Sequence, residues 1–232
     1  MILLSGPVRT LGKPIILCYA ACIVALAFSL LMSRTKAPDC QTFPQTGKSV
    51  CGPFLDYWNA HGGVLVQGFP ISDEFQEISP VDGQERTVQY FEKAVYELHP
   101  ELAGPNNVQL EPLGKMRLAA LYPNGVPAGY QDHALKSEFF SQTGYYIEEP
   151  FLAYWQQNGG AEQFGYPISK PFWEKSAADG QNYTVQYFER AELQLQPELS
   201  PPYQVLPAPL GTLRFAERYP HAVPSPTPTP LK

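Results

Sequence analysis

The sequence predicts an α+β protein, an N-terminal transmembrane helix followed by two homologous small modules. Each module reads as an antiparallel three-stranded meander flanked by short helices. Three observations carry this reading. Residues 15–32 form an apolar run without a charge. Residues 43–127 align without a gap to residues 140–224, each position moving by 97, and about half of the aligned positions are identical. Within each copy, helix signals bracket a stretch of strand and turn signals.

The first element is the apolar run Ile15–Met32, preceded by a basic segment at 1–14. Its length is near the lower limit for a membrane-spanning helix and exceeds the usual hydrophobic region of a signal peptide. Arg9 and Lys13 flank it on one side, Arg34 and Lys36 on the other. The reading is an anchor, giving a single-pass cell-membrane protein with residues 38–232 extracytoplasmic. A cleavable signal is the rival, since Ala25-Leu26-Ala27 has the small-x-small form, and it would give a secreted protein. A buried soluble helix is the third possibility.

Module 1 spans 38–127 and module 2 spans 128–224. GPFLDYWNAHGG (52–63) matches EPFLAYWQQNGG (149–160), and DGQERTVQYFEKA (82–94) matches DGQNYTVQYFERA (179–191). Pro53 and Pro150 suit the first turn of a helix, where a missing N–H leaves nothing unpaired. Phe54, Leu55 and Trp58 then fall on one helical face, as do Phe151, Leu152 and Trp155. The pairs Gly62-Gly63 and Gly159-Gly160 supply a stop. A three-strand meander follows at 74–79, 85–91 and 94–99, with Asp82-Gly83 and Asp179-Gly180 marking its first turn. Leu113–Leu121 and Leu210–Arg218 read as closing helices. The tail 225–232 alternates proline with Ser/Thr and favours an extended polyproline stalk.

Two of the four cysteines, Cys18 and Cys22, lie inside the apolar run. Cys40 and Cys51 lie beyond it, and their counterparts in the second copy are Ser137 and Glu148. Joint presence and joint absence is what a bonded pair gives, so a Cys40–Cys51 disulfide and an oxidising external compartment are expected. Two free thiols are the alternative.

Charge excludes whole classes of partner. Twelve of the sixteen basic residues and all twenty-two acidic residues lie from Pro38 onward, leaving that part at −10. Such a surface repels nucleic acid and anionic polymers. No histidine is shared by the copies: His61 aligns with Asn158, His99 with Gln196 and His221 with Asn124. A duplicated Ser-His-Asp or Cys-His site is thus missing. The sequence holds no metal-ligand spacing and no phosphate-binding glycine loop, and no cofactor is expected. The shared acids are Glu77/Glu174, Asp82/Asp179, Glu92/Glu189 and Glu101/Glu198. A pair of them would serve a glycan hydrolase, which needs two carboxylates about 5–10 Å apart. Turn and strand-end roles account for them more simply, so no enzymatic activity is expected. The shared aromatics split into core and site candidates. Trp58/Trp155 and Phe91/Phe188 are assigned to the core. Tyr57, Tyr90, Tyr154 and Tyr187 are the candidate ligand-binding residues, because a phenol wants one polar or wet end.

The run YW…GG…G(F/Y)PIS…DG…TVQYFE(K/R)A…PEL…LG resembles a module that recurs in tandem in exported bacterial envelope proteins. It is similar, more distantly, to the LGFP repeat of wall-associated proteins. The shared points are Trp58, Gly62-Gly63, Gly68-Phe69-Pro70, Gly83, Phe91 and Tyr96 to Pro100, with their second-copy partners. Gln67 and Phe164 stand where that repeat has its leucine. The resemblance implies a non-catalytic, wall-facing role. The expectation is a membrane-tethered repeat protein that binds or spaces an envelope component, either a neutral glycan or an envelope protein. A weak glycan hydrolase and a purely structural spacer are the alternatives.

Overall fold

The computed structural model describes residues 38–129, 136–200 and 203–221. Each copy opens with a two-stranded hairpin that the sequence reading does not contain. In the first copy β1 (Cys40–Phe43) pairs antiparallel with β2 (Lys48–Cys51), placing Cys40 opposite Cys51. These two cysteines form a disulfide, compatible with an extracellular protein. Helix α1 (Gly52–Ala60) follows directly, with Pro53 in its first turn. It ends at Ala60, and Gly62, whose φ of 82° is open to glycine without strain, leads into the short helix α2 (Gly63–Val66). The glycine pair therefore turns one helix into another instead of ending helical structure.

The first sheet comprises β3 (Phe75–Ile78), β4 (Glu85–Tyr90), β5 (Val95–Leu98) and β6 (Val108–Leu110), in that order and wholly antiparallel. β6 makes the sheet four-stranded and corrects the three-stranded meander. Its three residues are too few to show alternation on their own. Helix α3 (Leu113–Leu121) closes the copy.

The second copy repeats the plan. Its hairpin is β7 (Ser137–Phe140) with β8 (Tyr145–Glu148), followed by α4 (Phe151–Gln157) and α5 (Gly160–Phe164). Its sheet is β9 (Phe172–Lys175), β10 (Asn182–Tyr187), β11 (Glu192–Leu195) and β12 (Val205–Pro207). Helix α6 (Leu210–Arg218) closes it. The described chain is thus rich in β-structure, with four sheets and short helices.

Among the described residues no helix is long and apolar enough to cross a membrane. This corrects both the fold class with an N-terminal transmembrane helix and the single-pass localisation drawn from it. Segment 15–32, on which the sequence places the anchor or its cleavable rival, lies outside the described residues, as does the tail 225–232.

Each sheet is covered on both faces. One face of the first sheet packs Phe91, Tyr96 and Val108 against Phe43 and Val50 of the hairpin and Phe54 and Leu55 of α1. The buried amide of Gln89 donates to Ser49 O (2.8 Å) and Ser72 O (3.0 Å), tying hairpin to sheet. Gln186 repeats this with Tyr146 O (2.7 Å) and Ser169 O (3.0 Å).

The opposite face holds the main departure from two self-contained modules. Val88, Tyr90 and Val95 of the first sheet pack against Leu210 and Phe215 of α6, the closing helix of the second copy. Phe172, Val185 and Tyr187 of the second sheet pack against Leu118 of α3, the closing helix of the first. The copies therefore exchange their last helices, and both belong to one compact unit. The shared Leu-Gly step at each helix start fits this exchange. A Cβ on Gly114 would lie 1.9 Å from Phe188 O, and one on Gly211 would lie 2.0 Å from Phe91 O. Only glycine lets the helix backbone approach the other copy's strand-connecting turn. Backbone hydrogen bonds seal both contacts, Lys115 N to Glu189 O and Thr212 N to Glu92 O, each 3.0 Å.

Candidate functional site

Two concave surfaces occupy equivalent places beside α1 and α4. The groove of the second copy encloses about 520 Å³ and is walled by Pro150, Ala153, Tyr154, Gln157 and Asn158, facing Tyr203 and Gln204. Leu65 of α2 reaches it from the first copy. The groove of the first copy encloses about 340 Å³ between Pro53, Asp56, Tyr57, Ala60 and His61 on one side and Gly104 and Asn107 on the other. Pro53, Tyr57 and Asn107 correspond to Pro150, Tyr154 and Gln204 at the 97-residue offset. One folding plan thus builds the same groove twice, with a tyrosine in its wall each time.

The four candidate tyrosines separate into two kinds. Tyr57 and Tyr154 line the grooves. Tyr57 is 9% exposed, stacks on the His61 ring at 3.8 Å and donates to Gln163 Oε1 at 3.3 Å. That glutamine also accepts from the buried Gln67 amide at 2.9 Å, so the groove wall is braced by a side-chain pair running between the copies. Burial raises the hydroxyl pKa of both Tyr57 and Tyr154 far above its ordinary value, so both stay neutral donors.

Tyr90 and Tyr187 are 0% exposed and present no surface to a ligand. Their polar ends meet buried carboxylates instead. Tyr90 Oη donates to Glu77 at 3.0 Å, and Tyr187 Oη donates to Glu174 at 2.9 Å. The exchanged helices supply a second phenol to each acid: Tyr219 donates to Glu77, and Tyr122 to Glu174 at 2.6 Å. Arg218 pairs with Glu77 at 2.9 Å. These clusters fasten the exchange. For this pair, the polar end that a phenol wants is met inside the protein by a carboxylate.

A further buried acid completes each cluster from a different strand. Glu111 N donates to Val95 O (3.1 Å), while in the second copy Ala208 N donates to Glu192 O (2.8 Å). Glu111 aligns with Ala208 and Val95 with Glu192, so each half keeps one acid at this cross-strand pair and switches the strand that delivers it. Burial pushes both carboxyls up to about 7. Arg214 of α6 stands 3.7 Å from Glu111, and Gln194 donates to Glu192 at 2.7 Å.

Glu92, Glu189, Asp82, Glu101 and Asp179 also have structural partners. Glu92 accepts from Phe69 N (3.0 Å) and Glu189 from Tyr166 N (3.1 Å), each holding the glycine-proline turn beside it. Lys115 of α3 adds an ion pair to Glu189 at 2.6 Å, which holds that carboxyl below its ordinary pKa even against partial burial. Asp82 and Glu101 share Arg86. Asp179 accepts from Gln181 N at 3.0 Å within its turn.

Sequence reasoning restricted to shared positions misses residues that differ between copies. Gln67 aligns with Phe164 and Gln163 with Val66, yet the two glutamines meet across the copies. Exposed aromatic residues at unshared positions escape in the same way; their signal is a ring in one copy aligned with a polar residue in the other.

Comparison with family models, with curated proteins and with solved structures returns no match.

Proposed function

We propose that this protein is a non-catalytic repeat protein that binds a component of the bacterial cell envelope, a neutral glycan or an envelope protein, through its paired grooves. The observation that carries the reading is the groove built twice, with Tyr57 and Tyr154 at the same place in each wall. Concave, mostly apolar surfaces with a few polar groups are the usual form of a binding site. Gln157, Asn158 and Gln204 supply the polar groups in the larger groove. The shared acids support a binding role over hydrolysis, because Glu77, Glu174, Glu92, Glu189, Asp82 and Glu101 are each bonded to groups that hold the fold. A hydrolase needs carboxylates free to meet substrate.

The test is retention of the purified protein on isolated bacterial wall material. Wild type is expected to be retained, and Gln157→Ala with Tyr203→Ala is expected to reduce retention at least fivefold without lowering thermal stability. Those two side chains line the groove from the surface and leave the core intact. Absence of wild-type retention at every salt concentration would count against binding.

A further inference from the structure

The chain carries its own control for what the fold requires. Three of the most exposed large aromatic residues lie in the second copy: Trp173 is 70% exposed, Phe139 52% and Tyr146 40%. Their counterparts are Gln76, Thr42 and Ser49. In the first copy these residues satisfy one another and their neighbours. Thr42 and Ser49 share a hydrogen bond of 2.8 Å between hydroxyls, and Gln76 donates to Thr87 Oγ1 at 2.8 Å. The same strand is thus built without a ring, so Trp173 is not needed for folding; the first hairpin also lacks rings, but it carries the Cys40–Cys51 disulfide where the second has Ser137 opposite Glu148. Large exposed aromatics gathered on one copy mark an interaction surface.

Their placement follows from the register. Phe139 stands opposite Tyr146 across the β7–β8 pair, with ring centroids 4.8 Å apart. Trp173 stands opposite Thr184 on the edge strand β9. Phe172 and Glu174 point toward α3, so Trp173 projects from the other face. That is the face over which the β7–β8 hairpin lies, because Gln186, two residues along β10 from Thr184, donates to Tyr146 O.

We propose that Trp173, Phe139 and Tyr146 form a stacking platform for a neutral glycan. This rests on the envelope-binding reading and names a second surface and ligand class for it. The residues beside Trp173 decide between a sugar and a protein partner. In the first copy the neighbouring exposed pair is Ile78 opposite Glu85; in the second it is Lys175 opposite Asn182. Exposed Val81 is likewise replaced by Ala178. The second copy therefore removes the aliphatic groups that a protein partner would bury and adds an ammonium and an amide, donors suited to sugar hydroxyls. Aromatic faces cover the apolar C–H faces of a sugar ring while the polar edge stays hydrogen-bonded. Lys175 is one cation beside the patch in a region carrying −10 overall, which matches an uncharged ligand.

The experiment uses the full chain and three insoluble neutral polymers, cellulose, chitin and a linear (1→3)-β-glucan, with polygalacturonate as an anionic control. The variant takes the first copy's own residues, Phe139→Thr, Tyr146→Ser and Trp173→Gln, and Trp173→Gln alone leaves the Phe139–Tyr146 ring pair of the hairpin in place. Wild type is expected to sediment with at least one neutral polymer, and the triple variant is expected to lose at least tenfold in affinity. A matching soluble oligosaccharide is expected to blue-shift the tryptophan emission, and Trp173→Gln alone is expected to abolish the shift. Undiminished sedimentation of the triple variant would overturn the platform, and its loss in the Gln157→Ala, Tyr203→Ala protein would then return binding to the groove. Failure of wild type on all three polymers, with retention on wall material intact, would overturn the glycan and leave the broader reading standing. Failure on both would sink both.

Discussion

Glu111 and Glu192 set the pH response of the folded chain. Both carboxyls are buried, and burial raises them from the ordinary 4.5 to about 7. Glu111 faces Arg214, Glu97, Glu77 and Arg218; Glu192 faces Gln194, Glu174, Tyr187 and Arg117. The folded protein therefore holds two protons that the unfolded chain releases between these values. Their stabilisation is fully present below about pH 4.5 and is lost as pH rises through about 7. The unfolding free energy read from urea titrations is expected to fall from pH 5 to pH 7.5, by an amount on the order of 1–3 kcal/mol per site. Asp82, Asp179, Glu101 and Glu189 are shifted downward and titrate below that window, and burial lowers Lys93 to about 8, above it; burial also raises Glu74, which adds to the fall instead of masking it. Replacing both acids by glutamine is expected to flatten the profile and to raise the midpoint at pH 7.5. A double variant that keeps the wild-type slope would refute this assignment. The sequence shows these acids only as unshared residues, and it does not show that the exchange brings each against buried neighbours.

At the scale of elements, the exchange places a steric demand on two glycines. Gly114 and Gly211 each bring a helix backbone against a carbonyl of the other copy. Alanine improves intrinsic helix propensity by roughly 1 kcal/mol, so an isolated helix would gain from the substitution. Here the added methyl overlaps fixed backbone oxygens, and overpacking of that kind costs about 1–3 kcal/mol or more. Gly114→Ala and Gly211→Ala are each expected to lower the melting temperature, against the direction that propensity alone gives. A rise in melting temperature would place the helices elsewhere. The closing helices themselves, 113–121 and 210–218, were legible at these bounds. Their partners were not, because periodicity says which helix face is buried and not against which sheet; two near-identical sheets offer the same complement. The β1–β2 hairpin was illegible for another reason. Three of the four residues of β1 are exposed, so no alternation marks it. The grooves were half legible: the tyrosines repeat in the sequence, but Leu65 reaches the second groove only through the tertiary arrangement.

For the whole molecule, the exchange means that damage to one copy is read out in the other. Phe215 lies in the second copy of the sequence but packs against Tyr90, with ring centroids 5.1 Å apart, over the first sheet. Truncating it to alanine removes a buried ring at a cost of about 3–5 kcal/mol. Two independent modules would lose hydrogen-exchange protection in β9–β12, next to the substitution in sequence. The exchanged architecture gives the opposite: β3–β6 lose protection first, although more than a hundred residues separate their strands from position 215. Leu118→Ala, in the first copy, is expected to do the converse and loosen β9–β12, since Leu118 packs against Phe172, Val185 and Tyr187. Loss confined to the mutated copy in both variants would refute the exchange. Loss in the opposite copy in both would show that the repeats are one folding unit, so that the two grooves and the aromatic face are held by a single cooperative framework.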